Sequence, residues 1–409
     1  MKSPKHAPMN QFPVIEDCLQ VGGRAITDIA MEAGGAPFYV YDRQLMTKRM
    51  AEMRSSLPNG LIIKYAIKAN PMPAVVQHMS SLVDGLDVAS AGELRVALDS
   101  GFDPINISFA GPGKMDWELK QAIAAGATLN LESENEMERA ALIGDQLGIQ
   151  PHVAVRVNPE FELKSSGVKM GGGPKAFGVD SERVPAMLQR LGELNLDFRG
   201  FHIYCGSQNL SAESIIDAQN KTIDLGYRLA EHAPQPISTF NIGGGFGIPL
   251  FPGENRLELE PIAENLEIRM RETADRLPTA KIAIELGRYL VGEAGLYVCE
   301  VVDRKISRGE VFIITNGGLH QHLAASGNFG QVLRKNFPVV VANRVVGQER
   351  EVANVVGPLC TPLDILAAQM ELTAAHPGDL IGVYQSGAYG YSTSPIAFLG
   401  HPPPAQILV

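Results

Sequence analysis

Eight short β-rich runs, spaced along the middle of the chain, limit its possible folds more than any other feature. They lie near residues 61–67, 85–89, 105–109, 127–132, 152–157, 199–204, 238–242 and 281–285. Helical patterns separate most of them: Glu93–Ser100, Trp117–Ala125, Glu134–Leu147, Val184–Leu194, Ala212–His232 and Pro261–Leu277. Strand–helix alternation specifies a parallel sheet. Eight units over about 225 residues fit a closed (β/α)8 TIM barrel. A doubly wound open sheet is the alternative. Phe38–Asp42 reads as a further strand and Arg43–Ser56 as a helix. After Gly287 the rhythm changes. Tyr297–Lys305, Val311–Thr315, Val339–Ala342, Glu351–Val356 and Leu380–Tyr384 read as strands between turns, with one helix at Leu363–Met370. The expected architecture is α/β, with a barrel over 36–287 and an all-β domain from 288–409, which the first 35 residues join.

The net charge of −10 argues against nucleic acid and anionic membrane surfaces as partners. No apolar run is long enough to span a bilayer, and Met1–Pro13 has no apolar segment of the signal-peptide kind. Cys18, Cys205, Cys299 and Cys360 lie far apart, with no Cys-x-x-Cys, so neither a disulfide framework nor a zinc ribbon is suggested. A cytoplasmic location is expected.

In such a barrel, chemistry sits at the carboxyl ends of the strands. Most of these runs end in reactive, polar or glycine-rich residues. The first, Leu61-Ile62-Ile63-Lys64-Tyr65-Ala66-Ile67-Lys68, carries Lys68 at its far end. Burial lowers the pKa of an ammonium group. A neutral amine is what an aldehyde cofactor needs to form a Schiff base, and pyridoxal phosphate is the commonest such aldehyde. A lysine snorkelling to the surface is the plainer reading. Later runs bring Asp87 with Ser90 and Glu93, then Glu132, then Arg156 and Asn158. Phe201-His202-Ile203-Tyr204 places His202 and Tyr204 on one face, where an aromatic ring could stack on a cofactor or simply pack. Gly206-Ser207 follows.

Gly243-Gly244-Gly245 would let backbone N–H groups approach an anion closely. Ser207 and Arg288 could add donors. A structural tight turn is the alternative. Glu285 ends an apolar strand, where a carboxylate is costly unless paired. Its partner could be Arg288, or a cofactor nitrogen that it keeps protonated. Cys360 is a proton donor or a buried thiol. Tyr389 offers a hydroxyl on a glycine-flanked loop. His320-x-His322 lacks a third ligand and reads as a polar loop rather than a metal site.

Seven motifs occur in order: Tyr-Ala-x-Lys-Ala-Asn, Asp-Val-Ala-Ser-x-Gly-Glu, Gly-Phe-His-x-x-x-Gly-Ser-Gln, Gly-Gly-Gly-Phe-Gly, Glu-x-Gly-Arg, Gly-Pro-x-Cys and Gly-Ala-Tyr. Together they resemble the pyridoxal-phosphate-dependent decarboxylases of the alanine-racemase-like fold (fold type III), the diaminopimelate and ornithine decarboxylase group. The resemblance runs from about residue 36 to about residue 395. It implies that Lys68 carries the cofactor, with Asp87 nearby. It implies that Gly243, Gly244, Gly245, Ser207, Arg288 and Tyr389 hold the phosphate and that Glu285 pairs with the pyridine nitrogen. Cys360 would reach into the site of a second subunit, so the active unit would be a homodimer. His202 matches the first histidine of the family's His-x-His-x-Gly-Ser.

The departures bear on the substrate. Tyr204 replaces the family's ring-stacking histidine. Thr361 replaces the acidic residue that meets a distal ammonium. The segment that supplies an arginine for a distal carboxylate reads Asn316-Gly317-Gly318 and then Phe329-Gly330-Gln331. A buried ammonium without its carboxylate costs on the order of several kcal/mol. The resemblance therefore leans to the subgroup that decarboxylates an amino acid carried on an acyl carrier protein, or that accompanies exosortase systems. A genuine meso-diaminopimelate decarboxylase making lysine is the alternative. A racemase would want arginine at the pyridine nitrogen. A non-catalytic pyridoxal phosphate carrier would lack the β domain. A sugar-phosphate barrel enzyme would leave Lys68 without a purpose.

Overall fold

The computed structural model describes residues 5–162, the backbone of 168–169, and 171–409. The chain divides into two compact units. One comprises residues 49–247 and 257–287; the other comprises the chain up to Lys48, 248–256 and 288–409.

In the first unit eight parallel strands close on themselves. They are Ile62–Ala66, Gly85–Val88, Ile107–Phe109, Thr128–Leu131, His152–Asn158, Asp197–His202, Thr239–Gly244 and Lys281–Leu286. Each pairs with the next, and the eighth returns to the first with Ala283 opposite Ile62 and Leu286 opposite Tyr65. All eight expected runs are present, and the barrel is closed rather than an open sheet. The intervening helices begin where the sequence offers caps. Ser90 accepts the Glu93 N–H, Ser133 that of Glu136 and Ser211 that of Ser214. Gly126 and Gly148 end two helices in the left-handed region (φ 84° and 64°). Helices covering the outside bury both faces of the strands, hence their near-continuous apolar character.

The second unit is mainly sheet. Gly295–Ser307 is its longest strand and pairs with Glu310–Thr315, Leu380–Val383 and Phe38–Tyr41. Phe38–Tyr41 is buried along its whole length, and Ala405–Leu408 pairs with its other edge. The strand read from sequence at 38–42, within the 36–287 stretch, thus lies in the sheet unit, and the boundary of that unit falls after Lys48. Its apolar residues need two flanking strands and a covered face, which this sheet supplies. Phe12, Leu19, Ile29, Phe38, Val40, Leu296, Val298 and Tyr384 form the core beneath it.

Leu363–Met370, expected as a helix, is not one. Ile365–Thr373 is a strand paired antiparallel with Arg350–Val356. Its Leu, Ala, Gln and Met are good helix formers, but pairing with an otherwise open edge overrides a weak propensity.

Candidate active site

Because the eight strands are parallel, their carboxyl ends meet on one side of the barrel. Lys68 follows the first strand in a single 3-10 turn, Ile67–Ala69. Its Nζ lies 3.5 Å from Asp87 Oδ2 and 3.6 Å from Glu285 Oε1. The side chain is 40% exposed, whereas both carboxylates are buried. Tyr204 presents its ring to the same amine, 6.0 Å from Nζ to centroid. Four of the candidates, Lys68, Asp87, Glu285 and Tyr204, are thus brought together.

The two carboxyls have different charges. Burial, then the Glu285 charge, pushes Asp87 up to about 8, so it keeps its proton at neutral pH. Burial also disfavours ionised Glu285, but the Lys68 charge and His202 outweigh it and hold Glu285 well below the usual carboxylate range. Glu285 Oε2 accepts from Asn241 Nδ2 (3.2 Å) and lies 3.1 Å from His202 Nε2. Burial lowers the pKa of His202, with Glu285 opposing, and the imidazole is neutral at neutral pH. Its Nδ1 has no hydrogen-bond partner among the described residues. His202 therefore serves as a neighbour of Glu285, inside the barrel. Its ring is 6.5 Å from that of Tyr204.

The glycine run turns sharply after the seventh strand. Gly243 and Gly245 have φ of 73° and 80°. A Cβ on Gly243 would sit 2.9 Å from the Ile203 carbonyl, and one on Gly244 would sit 2.3 Å from that of Glu285. Not every amide is available to a ligand: the Gly243 N–H donates to Asn241 Oδ1 at 2.9 Å. The Asn209 N–H donates to the Gly245 carbonyl, and the Gly247 N–H to the Asn209 carbonyl, tying this turn to the loop after the sixth strand. Ser207, in that loop, is half-buried and pairs through its backbone with Val168. Glu132 and Arg156, also at strand ends, form a buried 2.7 Å ion pair. Asn158 donates to the Gly173 carbonyl and to Asp180.

The remaining candidates lie in the sheet unit. The Arg288 guanidinium stacks over the Tyr389 ring at 4.7 Å. Tyr389 has a φ of 54°, in the region that favours glycine. Cys360 is a free, exposed thiol, which excludes its reading as a buried one. Its loop is held by Asp364, whose carboxylate accepts the N–H groups of Leu359 (2.8 Å) and Leu319 (2.6 Å). His320 and His322 lie in a turn segment, as expected of a loop, but both are buried. His322 Nε2 lies 2.8 Å from Ser386 Oγ, and burial, then the Arg288 charge, lowers its pKa to about 3.

Sequence reasoning passed over three polar residues inside the barrel. Lys64 Nζ donates to Ser108 Oγ (3.1 Å), Ser108 to Asp87 Oδ1 (3.2 Å), and Asn241 supports Glu285. Strand alternation was the available signal. Lys64 is two residues from Ala66 on the face toward the barrel axis.

An amine between two buried carboxyls, one of them held ionised, beside a glycine turn, could hold an aldehyde that carries a basic ring nitrogen and an anion. The family model described as "Pyridoxal-dependent decarboxylase, pyridoxal binding domain" matches residues 43–292. An L-glutamyl-(BtrI acyl-carrier protein) decarboxylase from Niallia circulans is 38% identical over 91% of this chain and 88% of its own. A diaminopimelate decarboxylase from Aquifex aeolicus is 30% identical over 92% of this chain and 87% of its own. The crystal structure of diaminopimelate decarboxylase from Helicobacter pylori complexed with L-lysine superimposes with a TM-score of 0.83 at 26% identity, covering 94% of each chain.

Proposed function

The chain belongs to the pyridoxal-dependent decarboxylases, and from that premise we propose that it removes the α-carboxylate of an amino acid carried on an acyl carrier protein, a glutamyl thioester being the first candidate. Two points support this over a free diamino acid. A 38% identical relative is named for a carrier-linked glutamyl substrate, and the motif resemblance puts Thr361 where the wider family has an acid for a distal ammonium. A glutamyl thioester has no distal ammonium to satisfy.

The barrel residues fit pyridoxal phosphate. The glycine turn would be filled by any Cβ, Glu285 is held ionised, and His202 Nδ1 is left without a partner among the described residues. When bound, the cofactor supplies an aldehyde for the substrate amine and a ring that takes up the electron pair left as CO2 departs. The Lys68 amine, between Asp87 and Glu285, would be the group to hold that aldehyde. Glu285, kept anionic by Lys68 and His202, would accept the N–H of the ring nitrogen and so hold a proton there. The Gly244 and Gly245 backbone, with Ser207, would offer donors to the phosphate, and Arg288 and Tyr389 are proposed to add theirs. Tyr204 would pack on the ring. Cys360, on its exposed loop, is proposed to protonate Cα from a second copy in a homodimer, in the cytoplasm. Excluding water around the departing carboxylate assists its loss.

The test measures CO2 release from glutamyl thioester on a carrier protein and from free diaminopimelate. Release from the thioester alone is expected. Efficient lysine formation from free diaminopimelate would overturn the substrate assignment.

A further inference from the structure

The barrel interior beneath Lys68 holds a second lysine that the proposed reaction does not use. Lys64 is buried along the first strand. Its neighbour on the second strand is Gly85, where a Cβ would sit 2.9 Å from Lys64 Cγ and 3.2 Å from Cε. The glycine leaves the room that the lysine stem fills. On the amino-terminal side lies a cavity of about 150 Å³, lined by Lys64, Ser108, Asn130 and Asn241 among others. It is large enough for a few waters, which can satisfy ammonium protons not donated to Ser108.

The hydrogen bonds here have a fixed direction. An ammonium group only donates. Ser108 Oγ, accepting from Lys64 at 3.1 Å, must send its own hydrogen elsewhere. The nearer acceptor is Asp87 Oδ1 at 3.2 Å; the Leu86 carbonyl is at 3.5 Å. With Oδ1 accepting, a proton on Asp87 belongs on Oδ2, the oxygen that faces Lys68.

We propose that Lys64 is a positioning residue: through Ser108 it fixes Asp87 Oδ1 as an acceptor, so that the proton Asp87 holds sits on Oδ2, and its charge sets the pH at which that proton leaves. The role in catalysis rests on the function proposed above; the proton placement does not. The groups facing Asp87 are Lys64 and Lys68 from the first strand and its turn, Ser108 from the third strand and Glu285 from the eighth. Glu93, on the helix after the second strand, lies within the field of Lys68. Behind Glu285 stand His202 and then the Glu132–Arg156 pair. Burial lowers the Lys64 pKa, and the charges of Asp87 and Glu285 oppose that fall.

The test follows the infrared band of the protonated carboxyl against pH, in the full-length chain freed of cofactor and assigned with Asp87→Asn. The band should disappear near pH 8 in the parent protein. Lys64→Met should move the midpoint up by about one pH unit, a tenfold change in the proton equilibrium, because a nearby positive charge is lost. Lys64→Arg should restore it. Ser108→Ala should move it in the same direction, and serves if Lys64→Met does not fold. In the loaded enzyme, the alkaline limb of kcat/KM should shift with the band. An unchanged or lowered midpoint in folded Lys64→Met and Ser108→Ala would overturn the proposal. Failure of the decarboxylase assignment would appear as no CO2 release, with the band shift intact.

Discussion

Asp364 offers a quantitative test of how the loop bearing Cys360 is held. The carboxylate is buried, and each oxygen takes one backbone N–H, Leu319 on one side and Leu359 on the other. Cβ atoms on Gly318 and Gly357 would sit 2.2 and 2.3 Å from those oxygens, so both loops press against the carboxylate. Asp364→Ala removes the shared acceptor and leaves two buried donors unpaired. Each orphaned donor costs about 1–3 kcal/mol, giving about 2–6 kcal/mol if the two act separately and less if the loops relax together. For a unit of this size, each kcal/mol lowers Tm by about 2–4 °C. Asp364→Asn keeps one acceptor and should lose about half as much. Thermal unfolding followed by near-ultraviolet circular dichroism measures the loss, and thiol titration of Cys360 reports the loop directly. The Cys360 reaction rate should rise in Asp364→Ala. A Tm change under about 2 °C in that variant, or a larger loss in Asp364→Asn than in Asp364→Ala, would refute the reasoning.

Other outcomes are expected at the barrel site. Lys68→Ala should abolish the near-visible absorbance of purified protein; a retained band would remove Lys68 from its role. Glu285→Gln should lower kcat/KM for CO2 release by on the order of 100-fold or more, since the ring nitrogen loses its anion; retention of a tenth of the activity would contradict this. Asp87 has a folded-state value of about 8, above its unfolded value, so it favours the fold at acid pH. That contribution is present below its unfolded value and is lost as pH rises to about 8. Asp87→Asn should flatten the fall in Tm across this window; an unchanged slope would place the proton elsewhere. Gly244→Ala should cost about 1–3 kcal/mol, because its Cβ meets a strand carbonyl that cannot retreat, as read from urea unfolding.

The barrel was legible because its strands are buried on both faces. That demands apolar runs, and it makes each polar residue at a run's end conspicuous. Lys68, Asp87, His202 and Glu285 stood out for this reason, and the structure brings them within contact of one another. Lys64 was less visible, because a lysine within a strand looks like a solvated one until the closed barrel shows which face is inside. The proton on Asp87 depends on Glu285, about two hundred residues away in sequence, and no local pattern carries it. Ile365–Thr373 was misjudged because its residues favour helix locally and only the partner strand decides otherwise. The loss of the Gly243 amide to Asn241, two residues back, was readable as a side-chain turn.

Phe38–Tyr41 lies between two strands made much later, Gly295–Ser307 and Ala405–Leu408. During synthesis this early segment therefore waits, with its four apolar and aromatic residues uncovered on one edge, until 405–408 leave the ribosome. A nascent chain stalled before that point presents a sticky, half-paired β edge, the kind of surface that chaperones hold and that seeds aggregation. Removing residues 405–408 would injure a strand made far earlier in synthesis.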